Sequence, residues 1–285
     1  MQPGELAARA RTVAQLGDIV QAMRTLASAR RRQAQERFSG LQRYAAATRA
    51  ALAEALTLLT VTPSAEPSSP RSTARRVVVL FSEHGFVGPL NDRLLDAALP
   101  LRKGGEAEVV AVGSRGRRLC RERGVHASDG GAMPTAVAGV PAAAQRLIED
   151  LFGAVAAGRV REIHVVFAEH RPPVAWDPRV LRLFPPEVTP AERSDEKLGP
   201  IHTLEPHVLV ARAIEEYAFA QVSWAVGEAF ASEQAARFVA MDAAHHHVED
   251  KLAELRALER QMRQEAITSE ILEIASGAES TEGVS

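Results

Sequence analysis

From Pro206 to Ser276 the chain runs for roughly seventy residues with one glycine, Gly227, and no proline after the first position. As a helix that stretch would reach about 105 Å at 1.5 Å per residue. Leu252, Leu255, Leu258 and Met262, then Ile267, Ile271 and Ile274, keep a helical stripe along it. A helix of that length cannot be buried within a small domain of its own, so it requires a helical partner. Residues 5–60 supply one. Leu6, Ala10, Val13, Leu16, Val20, Met23 and Ala27 alternate steps of four and three, which is a coiled-coil seam. Phe38, Leu41, Ala45, Leu52, Leu56 and Leu59 continue the stripe, with Gly17 and Gly40 as weak points. The two ends are expected to form an antiparallel pair.

The middle differs in kind. Residues 62–73 are rich in Pro and Ser and read as a linker or exposed loop. Val77 to Phe81, Ala107 to Val112 and Ile163 to Ala168 are short apolar runs of the type found in buried parallel strands. Between them Asn91 to Leu99, Ser114 to Arg123 and Pro141 to Ala156 have helical patterns, while 128–139 is loop-like. Residues 171–200 hold seven of the sixteen prolines and predict an irregular loop or an edge hairpin. The fold class that follows is α/β: a long antiparallel two-helix coiled coil with an inserted Rossmann-like α/β domain. The expected domains are a helix over 1–61, the α/β domain over 75–200 and a helix over 203–280.

Charge is polarised: 1–60 is net +5, 203–285 is net −9, and the whole chain is −2. The overall balance excludes a generally basic nucleic-acid binder. One cysteine, Cys120, excludes an internal disulfide and fits a reducing compartment. The first residues, with Glu5, Arg9 and Arg11, lack an apolar signal core.

Candidate motifs are weak when taken alone. Gly85-Phe86-Val87-Gly88 stands where a phosphate loop would, yet Pro89 and Leu90 follow instead of Lys and Ser or Thr, so a tight strand-to-helix turn is favoured. His245, His246 and His247 fan over about 300° of a helix and cannot share one metal. Arg30 to Arg32 could attract phosphates but lack interleaved aromatics. Arg118, Arg121 and Arg123 could activate Cys120, although a structural cysteine is favoured. Three readings stay open: a shaft or spacer, an α/β nucleotide-binding enzyme with its pocket near Ser82 to Gly88, and a coiled coil that binds nucleic acid through Arg30 to Arg32.

Both ends carry a more specific signal. Ala231-Ser232-Glu233-Gln234-Ala235-Ala236-Arg237 followed by Ala240-Met241, and residues 263–278, RQEAITSEILEIASGA, resemble the C-terminal segments of the gamma subunit of F-type (rotary) ATP synthases. Glu205-Pro206, Tyr217 and Gln221-Val222 fall at matching positions. Ile19, Ala22-Met23, Ala27, Ala29-Arg30 and Arg32 to Gln35 resemble that family's first helix.

The resemblance implies a central-stalk rotor without cofactor or catalytic group, at one copy per complex. Its partners would be the alpha and beta subunits of the catalytic hexamer, the epsilon subunit and the membrane ring of c subunits. The membrane would be reached only through the complex, at the cytoplasmic face of the bacterial inner membrane, and no nucleic acid would be bound. It further implies beta-subunit contacts at Met23, Glu233, Arg237, Arg263, Gln264, Thr268 and Glu270, and a foot at His202, Leu204 and Glu205. Departures cluster at Asp18, Gln21, Ser82 to Asn91, His202, Leu204 and Arg260. One subtype that keeps the ends and diverges in the middle is the alternative, sodium-translocating bacterial F-type ATPase.

Overall fold

The structure is a computed structural model that describes residues 3–59, 74–102, 107–190 and 202–282. The proline- and serine-rich run 62–73 lies outside the described residues. The elements are α1 (Pro3–Leu56), β1 (Arg75–Leu80), α2 (Leu90–Ala98), β2 (Ala107–Val112), α3 (Ser114–Glu122), β3 (Ala127–Asp129), α4 (Val140–Ala156), β4 (Glu162–Arg171), β5 (Ala175–Phe184) and α5 (Pro206–Glu282). No helix among the described residues is long and apolar enough to cross a membrane. The chain divides into two compact units, one from residues up to Leu26 with those from Ala240 onward, the other Ala27–Val239.

In the first unit the helices pair antiparallel: Gly17 lies against Val248, and Arg24 Nε meets Asp242 Oδ1 at 2.9 Å. Leu6, Val20, Met241, Val248 and Leu255 are buried there. Leu16, expected on the seam, is 52% exposed. Its neighbour Gly17 takes the inward position, where an added Cβ would stand 3.0 Å from Val248 Cγ1. The glycine is thus a point of close helix approach, not a weak one. Leu255 is buried, whereas Leu258 and Ile271 remain exposed.

In the second unit the same antiparallel sense recurs. Phe38 meets Phe230 edge to face with centroids 6.2 Å apart, Gly227 sits under Phe38 and Leu41, and Gln221 Nε2 donates to Ala45 O at 3.0 Å. Tyr44 donates to Glu216.

The same unit holds a five-stranded sheet in the order β3-β2-β1-β4-β5. Its first four strands are parallel, and β5 pairs antiparallel with β4. β1 is central and buried on both faces, as its unbroken valine run requires. Val78, Leu80, Val165 and Phe167 face α4 and the Ala218–Ala231 stretch of α5. Val77, Val79 and Phe81 face α2 and α3. The proline-rich stretch thus resolves, up to Phe184, into the hairpin alternative: Pro178 lies opposite Ala168 on the outermost strand, where a missing N–H costs no ladder bond. The loop expected over 128–139 includes the last residues of the short parallel strand β3. Arg76, 7% exposed, anchors the start of β1 through Glu108 and Asp150, both at 2.9 Å.

Candidate partner-contact residues and a filled crevice

In an open α/β sheet of this order, ligands enter beyond the carboxyl ends of the strands, where successive strands diverge. Here that place lies above β1 and β4, and α5 fills it. Ser232 Oγ donates to Ala168 O at 2.9 Å at the end of β4. One residue on, the Glu233 carboxylate accepts from Glu83 N at 3.2 Å and His84 N at 3.4 Å, in the loop that follows β1. Arg237, one turn further, donates to Glu233 Oε1 at 2.6 Å, to Gln234 Oε1 at 3.2 Å, and to the His84 and Gly85 carbonyls at 3.3 Å each. Ala236 packs into the core beneath.

A second carboxylate closes the remaining corner. Glu83 accepts from Met133 N at 2.9 Å, from Ser114 N at 3.2 Å and from the Ser114 hydroxyl. Two backbone donors at the start of α3 and in the strand-to-helix loop thus converge on the chain's own anion, where a phosphate-binding fold would place its ligand. Gly113, at φ +99°, allows the approach, since a Cβ there would lie 2.6 Å from Phe81 O. The expected turn after β1 is present, with Phe86 at φ +60° and Gly88 at +54°. Glu83 lies in the Ser82 to Gly88 stretch singled out in the sequence, where nothing local marks its carboxylate as the acceptor for Ser114 and Met133.

The residues proposed from resemblance fall into three environments. Arg263, Gln264, Thr268 and Glu270 lie exposed on α5, with Ile267 and Ile271 beside them at 50% and 61% exposure. Arg263 donates to Glu259 at 3.1 Å, and Thr268 Oγ1 donates back to Gln264 O at 2.9 Å. Met23 is half-buried in the first unit. His202, Leu204 and Glu205 are exposed at the start of α5, beside a cleft of about 430 Å³ lined by Ala51, Ala55 and Leu209. Glu233 and Arg237, by contrast, are 3% and 6% exposed. Both side chains face the inserted domain of their own chain.

The remaining motifs resolve simply. Cys120 is buried, and burial pushes its thiol up, opposed by Arg102 and not by the arginines of its own helix. His245 is half-buried with Nε2 3.5 Å from Glu249, while His246 contacts Asp242 O. Arg31 donates to Pro173 O and lies over the Phe238 ring. Among the described residues no group of three His, Cys, Asp or Glu side chains is placed to hold a metal ion.

A cleft of about 680 Å³ separates Phe38 and Gln42 of α1 from Glu169 and His170 at the end of β4, with Glu228 beside them. The Glu228 carboxylate accepts from His170 N at 2.8 Å and Trp224 Nε1 at 3.3 Å. Burial pushes its carboxyl upward against those two hydrogen bonds. A carboxyl raised in the folded state binds more protons there than in the unfolded chain. Stability therefore falls as pH rises above the ordinary value of 4.5. Glu228→Gln should raise Tm at neutral pH and lose that advantage as pH approaches 4.5; thermal unfolding from pH 4.5 to 8 checks it. An advantage independent of pH would show that Glu228 is not desolvated.

Paired terminal helices, an inserted sheet with its ligand crevice filled from within, and a polar stretch of exposed helix define a shaft-type subunit. A sequence profile described as ATP synthase matches residues 3–281. The chain is 32% identical to the ATP synthase gamma chain of Beutenbergia cavernae, over 95% of each chain. It is 29% identical to that of Geotalea daltonii, over 95% of this chain and 96% of the relative. A chain in the OSCP/F1/c-ring structure of the Euglena gracilis mitochondrial ATP synthase shares the fold with a TM-score of 0.69 at 14% identity, over 98% of this chain and 94% of that one. The chain belongs to the ATP synthase gamma-chain family.

Proposed function

We propose that this chain is the central-stalk rotor of an F-type ATP synthase, coupling ion flow through a membrane c ring to ATP synthesis or hydrolysis at the beta subunits. The crevice filled by Glu233, Arg237 and Glu83 carries the non-catalytic part of this reading. Where an α/β enzyme needs an open pocket, this sheet is closed by its own shaft helix. The partners in this reading are the alpha–beta hexamer, the epsilon subunit and the c ring, with one copy of the chain per complex. The complex lies at the cytoplasmic face of the bacterial inner membrane. One asymmetric shaft cannot meet three identical beta subunits alike, so each orientation favours a different set of beta conformations through differential contact energy.

The exposed stretch Arg263 to Glu270 is the proposed beta contact, and His202, Leu204 and Glu205 form the proposed foot. Native mass spectrometry after co-expression with the organism's alpha and beta subunits should show one copy per hexamer. A chain that remains alone, or a hexamer that forms without it, would overturn the assignment. Within the assembled complex, Gln264→Ala with Thr268→Ala should leave stoichiometry intact and lower rotation-coupled turnover about tenfold, the loss of two hydrogen bonds to a partner. Unchanged turnover would remove these two residues from the contact.

A further inference from the structure

The Glu83–Gly85 loop presents two N–H groups and two carbonyls to α5, and one buried ion pair engages all four. Glu233 takes the Glu83 and His84 N–H groups, while Arg237 takes the His84 and Gly85 carbonyls. We infer that the Glu233–Arg237 pair is a torsional clamp that makes the Ser232–Arg237 turn of α5 and the inserted sheet rotate as one body.

The arrangement is directional. A single hydrogen bond lets two elements pivot about it. Acceptors at one end of the loop and donors at the other resist twist in both senses, because either sense lengthens one set. Ser232 adds a third fastening at the end of β4, so α5 is held to the ends of two neighbouring strands within about one helical turn. Glu83 carries the restraint onward to Ser114 at the start of α3 and to Met133 before α4. The ion pair itself is short, at 2.6 Å, and nearly inaccessible, with side chains 7% and 4% exposed, so its charge-assisted bonds to the loop form in a water-poor setting. The clamped loop also holds Phe86 at φ +60° with 64% of its surface exposed. A bulky residue persists in that conformation only where its surroundings over-determine it.

The torque role rests on the rotor reading; the clamp itself does not. The test replaces the pair with apolar residues of similar size, Glu233→Leu with Arg237→Met, and separately reverses it, Glu233→Arg with Arg237→Glu. In the full-length chain, hydrogen exchange at the Glu83 and His84 amides should accelerate about tenfold or more while the β1 amides keep their protection. In the assembled complex, a marker attached to the inserted domain should show about twofold greater torsional compliance against the hexamer. Unchanged exchange at Glu83 and His84 overturns the clamp. Exchange that accelerates across β1 as well shows a general stabilising pair and overturns it too. Faster loop exchange with unchanged compliance overturns the torque role. Failure of the parent chain to join a hexamer would refute the rotor reading, while the exchange result would still decide the clamp.

Discussion

Replacing Gly116 with valine is expected to cost the inserted domain about 3 kcal/mol or more, because there is no room for a side chain where α3 crosses Phe81. Even a single Cβ would lie 1.9 Å from Phe81 Cδ2 and 2.0 Å from Cγ, and Phe81 is only 1% exposed, so its ring has nowhere to retreat. The helix must lift or the ring must leave the core. Lifting α3 would also withdraw Ser114 from Glu83 and slacken the loop gripped by Glu233 and Arg237. In thermal unfolding a loss of that size corresponds to roughly 6–12 °C. Phe81→Ala alone should cost about 3–5 kcal/mol through its cavity. The double variant should cost less than the sum, since each change accommodates the other. Simple additivity would show that Phe81 is not the obstacle.

Gly116 also shows what the sequence could and could not reveal. Ser114 to Arg123 is legible as a helix, but nothing in its periodicity says that one glycine lies over an aromatic ring. The long helices were legible because neither has a proline after its first residue and apolar positions recur at helical spacing. The seam was misplaced at Leu16 because a pattern scored on hydrophobicity passes over glycine, although Gly17 is the residue that admits Val248. β5 was legible only as one of two alternatives, loop or edge hairpin, because Pro178 fits an outermost strand and edge position is a tertiary property. β3, of three residues, is too short to show alternation. The exposed stretch from Arg263 to Glu270, the proposed beta contact, could be matched to a family motif because its surroundings lie on its own helix. Glu233 and Arg237 carried the same motif signal. Their environment depends on a loop about 150 residues away in sequence, which no local pattern reports.

That difference sets up the sharpest contrast among the proposed contact residues. Arg237→Met should destabilise the isolated chain by about 3–5 kcal/mol, the cost of leaving a buried charge without its partner. The stranded Glu233 carboxylate is 3% exposed and would keep only the Glu83 and His84 N–H groups. Adding Glu233→Leu removes the stranded charge. The half-exposed Glu83 and exposed His84 can turn their freed amides to water. The double variant should therefore return to within about 1–2 kcal/mol of the parent, since apolar groups often replace a buried ion pair at little cost. Urea denaturation of the two variants measures the difference directly. A surface contact with a beta subunit predicts the reverse: both variants nearly as stable as the parent in isolation, with the defect confined to assembly or turnover. If Arg237→Met is mild and the two substitutions add, the pair belongs to the partner surface and the crevice is open enough to be reconsidered as a site. If the single variant is severe and the double recovers, the motif at Glu233 and Arg237 serves to join shaft and sheet within one chain, and the beta contact narrows to the exposed helix from Arg263 to Glu270.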